Sequence, residues 1–100
     1  MLVCFITGAT KNTGYAIAEK FAENGYAIAI SSRREADAQA AAQRLEEKYG
    51  VESKGYGLDL TSVSDICRVF GKIKADFGRL DTFIANSAHL GVGNKLLTAT

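Results

Sequence analysis

An α/β fold with a doubly wound parallel sheet is what this sequence predicts, from three observations. Three short apolar runs, at residues 2–6, 26–31 and 80–85, and a further strand-like stretch at 51–58 alternate with longer stretches in which apolar residues recur at helical spacing. No hairpin turn joins one run to the next. The first run breaks directly into a glycine-bearing turn, residues 7–14, with an amphipathic helix behind it. Strand-helix alternation requires right-handed crossovers, so the strands are parallel and the helices divide between the two faces of the sheet.

Each element follows from its residues. Residues 2–6 are apolar throughout, as expected of a central strand covered on both faces. Ile17, Ala18, Phe21 and Ala22 form the stripe of a first helix over residues 13–24, and Asn24-Gly25 supplies a left-handed stop. Residues 26–31 form a second two-faced strand. Residues 34–49 form a second helix, striped by Ala38, Ala41, Leu45 and Tyr49 and ended by Gly50. Residues 51–58 read as the third strand. Thr61 or Ser62 caps a third helix, Asp65 completes a capping-box-like start, and Ile66, Val69, Phe70, Ile73 and Phe77 spell its buried face up to Gly78. Residues 80–85 are the fourth strand, and residues beyond it read as a loop entering another helix.

Composition bounds the class. One hundred residues make one domain or part of one, and 47% apolar with 23% charged residues is ordinary globular usage. Twelve basic against eleven acidic side chains give a net charge of +1, which excludes the basic stripe of a nucleic-acid binder. No run is long enough to span a bilayer, and no basic region precedes an apolar signal segment, so the expectation is a soluble cytoplasmic protein without membrane or nucleic-acid partners. Cys4 and Cys67 have no metal-ligand or CxxC spacing and read as two reduced, buried thiols; no metal site is expected. Proline is absent, which leaves glycine to punctuate the chain.

A doubly wound sheet binds its ligand beyond the carboxyl ends of its strands, so the residues just after each strand carry the information. After the first strand, Gly8 to Gly14 open a helix N-terminus whose free N–H groups and dipole hold a phosphate or pyrophosphate. After the second come Ser31, Ser32, Arg33 and Arg34. An NAD site places a carboxylate there for the ribose 2′-hydroxyl; hydroxyls and guanidiniums instead suit a 2′-phosphate, with Arg33 gripping it by paired N–H bonds, Ser32 donating another and Lys11 adding charge. This selects NADP over NAD. After the third strand, Asp59 can accept from the adenine amine with the Leu60 backbone beside it, or else cap the next helix. After the fourth, Asn86, Ser87 and Ala88 are small and polar, allow close approach of a ribose or nicotinamide, and give Asn86 the means to tie two strand ends together. His89, the only histidine, has no carboxylate or cysteine positioned to partner it and reads as a solvated loop residue.

Together these four places resemble the short-chain dehydrogenase/reductase family. Its TGxxxGxG turn is matched by Thr7, Gly8 and Gly14, its acidic residue after the third strand by Asp59, and its NNAG segment by residues 85–88. Asn12 stands where the family's middle glycine sits, and only the second Asn of NNAG is kept, as Asn86. The resemblance runs through all 100 residues and implies a Rossmann-type NADP-binding domain, the first four strands of an incomplete sheet. It implies that Gly8, Thr10, Lys11, Asn12, Thr13 and Gly14 line the phosphates and adenosine side. Ser32 and Arg33 then take the 2′-phosphate, Asp59 and Leu60 the adenine, and Asn86, Ser87 and Ala88 the nicotinamide ribose. The implied function is hydride transfer between NADP(H) and a small carbonyl or alcohol, by an enzyme that is a homodimer or homotetramer at full length. The family's catalytic Ser and Tyr-x-x-x-Lys lie farther along than these residues reach, so the expectation is the N-terminal, cofactor-binding portion of a reductase. The competing expectation is a stand-alone dinucleotide-binding or regulatory module. Against it stands the outer edge of an apolar fourth strand, which wants a neighbour. Lys11 argues against the GxxGxxG turn of nucleotide-sugar epimerases, and methyltransferases have no use for the Ser32-Arg33 grip.

Overall fold

The computed structural model describes residues 2–8 and 12–86. Within them the order is β1 (Val3–Thr7), α1 (Asn12–Glu23), β2 (Ala27–Ser32), α2 (Glu35–Tyr49), β3 (Ser53–Gly57), α3 (Val63–Phe77) and β4 (Thr82–Ala85). All strand pairs are parallel, in the order β3-β2-β1-β4. The predicted fold class is the observed one.

Alternate residues of the central strands face opposite ways, and each set meets its own helices. Cys4, Ile6, Ile28 and Ile30 pack with Ala18, Ala22, Ala38, Ala41 and Leu45 of α1 and α2. Phe5, Ala29, Tyr56 and Leu58 pack with Val69 and Ile73 of α3. There Phe5 stacks on Phe83 at 5.3 Å between ring centroids and meets Phe70 edge-on at 5.4 Å.

The predicted bounds shift by a residue or two, for identifiable reasons. β1 and β2 each run one residue past the apolar run because Thr7, fully buried and paired with Ser31 and Ala85, and Ser32, paired with Gly57, remain in the ladder. β3 is shorter than residues 51–58, although the Glu52 carbonyl still accepts from Ile28 N–H and Leu58 N–H still donates to Ser32. β4 starts late because Asp81 turns its carboxylate onto the Val3 N–H, 2.8 Å away, while Arg79 clasps the same carboxylate from the other side. α1 ends in the Asn24-Gly25 turn as expected, with Gly25 at φ 85°. Ser62, not Thr61, caps α3 by accepting from Asp65 N–H at 3.2 Å. Cys4 is buried as expected, and burial pushes its thiol up to about 12. Cys67 is a correction: it is exposed, because position 67 falls off the apolar stripe of α3.

Gly55 governs how closely the second crossover packs. A Cβ there would lie 2.2 Å from the Ala38 carbonyl carbon, so α2 rests its backbone directly on β3. Gly55→Ala is expected to destabilise by about 1–3 kcal/mol through overpacking. Gly71→Ala, on the open face of α3 with nothing within 4 Å, is expected to stabilise by about 0.5–1 kcal/mol. Urea unfolding of the two variants checks both signs.

Arg79 and the Val3 N–H hold the Asp81 carboxyl below the usual carboxylate range. A depressed folded pKa contributes stability that is present above the unfolded value, about pH 4, and is lost as pH falls through the folded one. Asp59 and Asp65, also depressed, act in the same direction. Urea midpoints should therefore fall between pH 5 and pH 3, to about the lower end of the native carboxylate range, and Asp81→Asn should make that fall shallower.

Candidate nucleotide site

The register aligns the carboxyl ends of all four strands at one rim: Thr7 pairs with Ser31 and with Ala85, and Ser32 with Gly57. Hydrogen bonds lock these ends to each other. Gly8 turns the chain with φ 65°, a left-handed angle that glycine adopts without a Cβ clash, and its N–H donates to the Ser31 carbonyl at 2.8 Å. The Thr7 hydroxyl oxygen accepts from Asn86 N–H at 3.0 Å, which ties β1 to the chain leaving β4. The expected tie is therefore real, but Asn86 makes it through its backbone. Thr7 is a residue that sequence reading quoted in a motif and gave no role; the signal was a polar residue closing an apolar run just before Gly8.

α1 begins at Asn12 without an acidic residue in its first turn, which leaves the positive end of its dipole uncancelled. Thr13 is exposed there and Gly14 is buried against the fold. After β2, Arg33 is exposed and forms no salt bridge among the described residues, and no carboxylate occurs before Glu35. The Ser32 hydroxyl donates to the Arg34 carbonyl at 2.6 Å, so contact with a phosphate requires that rotor to turn. Arg34 precedes α2 without capping it through its side chain.

After β3, Asp59 is exposed and its Oδ1 accepts from both the N–H and the hydroxyl of Thr61, at 2.9 and 2.6 Å. Those bonds lead in holding its carboxyl below the usual range, and the Arg33 charge adds to them. Its Oδ2 accepts no hydrogen bond among the described residues, so an acceptor stays open at the rim. Leu60 is half-buried against the Phe5 side of the core. Asp65 departs from the expected capping box: its carboxylate accepts from Asp59 N–H at 2.7 Å rather than from Ser62.

Gly8, Asn12, Thr13, Gly14, Ser32, Arg33, Asp59, Leu60 and Asn86 thus gather at the carboxyl rim. Thr10, Lys11, Ser87, Ala88 and His89 lie outside the described residues. Among the described residues no group of His, Cys, Asp or Glu could hold a metal ion, and no helix is long and apolar enough to cross a membrane.

Four parallel strands in this order, with a glycine turn opening a helix at the central strand's end, define a Rossmann-like nucleotide-binding fold. The chain belongs to the short chain dehydrogenase family, whose sequence pattern matches residues 2–99. A sorbose reductase of Candida albicans is 41% identical over 86 residues, 85% of this chain and 30% of the relative. The crystal structure of L-sorbose reductase from Gluconobacter frateurii, complexed with NADPH and L-sorbose, superposes with a TM-score of 0.81 at 31% identity, over 86% of this chain and 33% of that one. NAD+-bound xylitol dehydrogenase follows with a TM-score of 0.77 at 34% identity, over 82% and 31%. The chain spans about a third of the length of the relatives it matches.

Thr7→Val keeps the shape of the side chain and leaves Asn86 N–H without its acceptor. It should cost about 1–3 kcal/mol in chemical denaturation, while Thr7→Ser, which keeps the hydroxyl, should lose less.

Proposed function

We propose that this chain is the cofactor-binding portion of an NADP(H)-dependent oxidoreductase, with residues 1–100 as its N-terminal part. The observation that carries this reading is the exposed Arg33 guanidinium at the exit of β2, a segment that itself carries no carboxylate to meet a ribose 2′-hydroxyl. The open end of α1 suits the pyrophosphate, the free Asp59 Oδ2 suits the adenine amine, and the Thr7-held Asn86 suits the nicotinamide ribose. Gly8, Thr10, Lys11, Asn12, Thr13 and Gly14 are assigned to the phosphate turn, and Ser87 and Ala88 to the approach of the nicotinamide.

NADP, when bound, supplies hydride exchange at its nicotinamide, and these residues bind and orient it. The substrate is a small carbonyl or alcohol, and the sorbose reductase relatives make a ketose and its polyol the first pair to assay. The whole enzyme is read as a cytoplasmic homodimer or homotetramer. Relatives of this fold are seen with NADPH and with NAD+, and we assign the choice between them to the β2 rim.

Fluorescence titration with NADPH and NADH tests this. NADPH should bind more tightly, and Arg33→Ala should weaken NADPH by about tenfold or more, the value of one charged hydrogen-bonded contact, while leaving NADH within about twofold. Equal affinity for the two cofactors in the unaltered protein would sink the assignment.

A further inference from the structure

We infer that Asp65 and Arg68, on the first turns of α3, are positioning residues that set the adenine contact of Asp59; the inference rests on the NADP reading above. The sheet does not reach Asp59. The last ladder-like bond at the end of β3 is Leu58 N–H to the Ser32 carbonyl, and beyond it the chain runs exposed towards α3. What holds Asp59 comes from the helix side. Asp65 Oδ2 accepts from Asp59 N–H at 2.7 Å, and Ser62 N–H donates to the Asp59 carbonyl at 3.1 Å. Both main-chain groups of Asp59 are therefore fixed.

Asp65 is itself braced. Its Oδ1 takes a 2.8 Å bond from Arg68 Nε, and Arg68 Nη2 donates back to the Gly57 carbonyl at 3.0 Å. One acid-base pair thus clamps the chain on both sides of Leu58, at Gly57 and at Asp59. An acid serving only the helix start would reach back to the Ser62 N–H in a capping box, and Asp65 does not. Stability is a weak reason for the pair, since its side chains are 48% and 25% exposed and such ion pairs contribute little. Its effect falls on the direction in which Asp59 presents the open Oδ2.

The test compares, on the intact protein, dissociation constants for NADPH and for its hypoxanthine analogue, in which a carbonyl replaces the adenine amine. The unaltered protein should prefer NADPH, and Asp59→Asn should abolish that preference. Asp65→Ala should reduce it by at least about fivefold, Arg68→Gln in the same direction, and Asp65→Asn less, because it keeps an oxygen for Asp59 N–H. Tyr56→Phe, which breaks a 2.7 Å bond to Asp76 that joins β3 to α3, should lower the melting temperature and leave the preference intact. If Asp59→Asn abolishes the preference while Asp65→Ala and Arg68→Gln retain it, the positioning role is wrong and the adenine contact stands. The positioning role also falls if Tyr56→Phe moves the preference as far as Asp65→Ala. If Asp59→Asn retains the preference, the adenine contact fails and takes the positioning role with it.

Discussion

Burial of β1 and β2 on both faces is the constraint from which the rest follows. The cover comes from the connections themselves: each leaves the sheet through a helix that packs on one face and re-enters in the same direction. Every strand then ends at the same rim, and the short polar segments that the chain needs in order to leave the sheet collect there. Thr7, Ser31, Ser32, Asp59 and Asn86 are neighbours because of topology before any ligand is considered. The rim is held by bonds between successive exits, Gly8 to Ser31, Leu58 to Ser32 and Asn86 to Thr7. A site made of four loop starts is thereby given the rigidity of the sheet.

The two faces meet this constraint differently. Against α1 and α2 the fillers are mostly alanines, and Gly55 lets the α2 backbone touch β3, so that layer is thin and closely set. Against α3 the fillers are aromatic: Phe5, Phe70 and Phe83 contact one another in a chain of edge and stacked rings. Rings of this size hold α3 farther from the sheet, and only Val69 and Ile73 of its stripe are fully buried. β3 is consequently set closely against α2 by backbone packing, whereas its exit towards α3 is bridged by the side chains of Asp65 and Arg68.

Element order, parallel topology and the gathering of the rim residues were legible because they depend on apolar periodicity and on crossover geometry. What was not legible depends on polar groups satisfied at a distance. Thr7 extends β1 because its hydroxyl meets an N–H 79 positions later, and Asp81 delays β4 because its carboxylate meets Val3, 78 positions earlier. No local pattern carries such partners. The same holds for Asp65, whose spacing from Ser62 reads as a capping box while its oxygens go to Asp59 and Arg68. The β3 run misled for another reason: with Lys54, Gly55 and Gly57 it has little apolar content, and its inner limits are set by where β2 offers a partner.

The charges at the rim raise a question of sign, since Asp59 brings a negative group close to Arg33, the residue assigned to the 2′-phosphate. Two features keep these roles compatible. Asp59 Oδ1 is engaged by Thr61, and these bonds, more than the Arg33 charge, account for its depressed pKa, so its ionised form does not require Arg33 as a partner. Both groups are exposed, where water and salt screen a carboxylate's pull on a neighbouring guanidinium. A dianionic phosphate making two short N–H bonds outcompetes such a screened attraction. The carboxylate therefore leaves the guanidinium available and still keeps Oδ2 for a neutral donor such as an amine. Opposite charges can then serve two parts of one ligand because each stands at a different strand exit, Arg33 before α2 and Asp59 before α3.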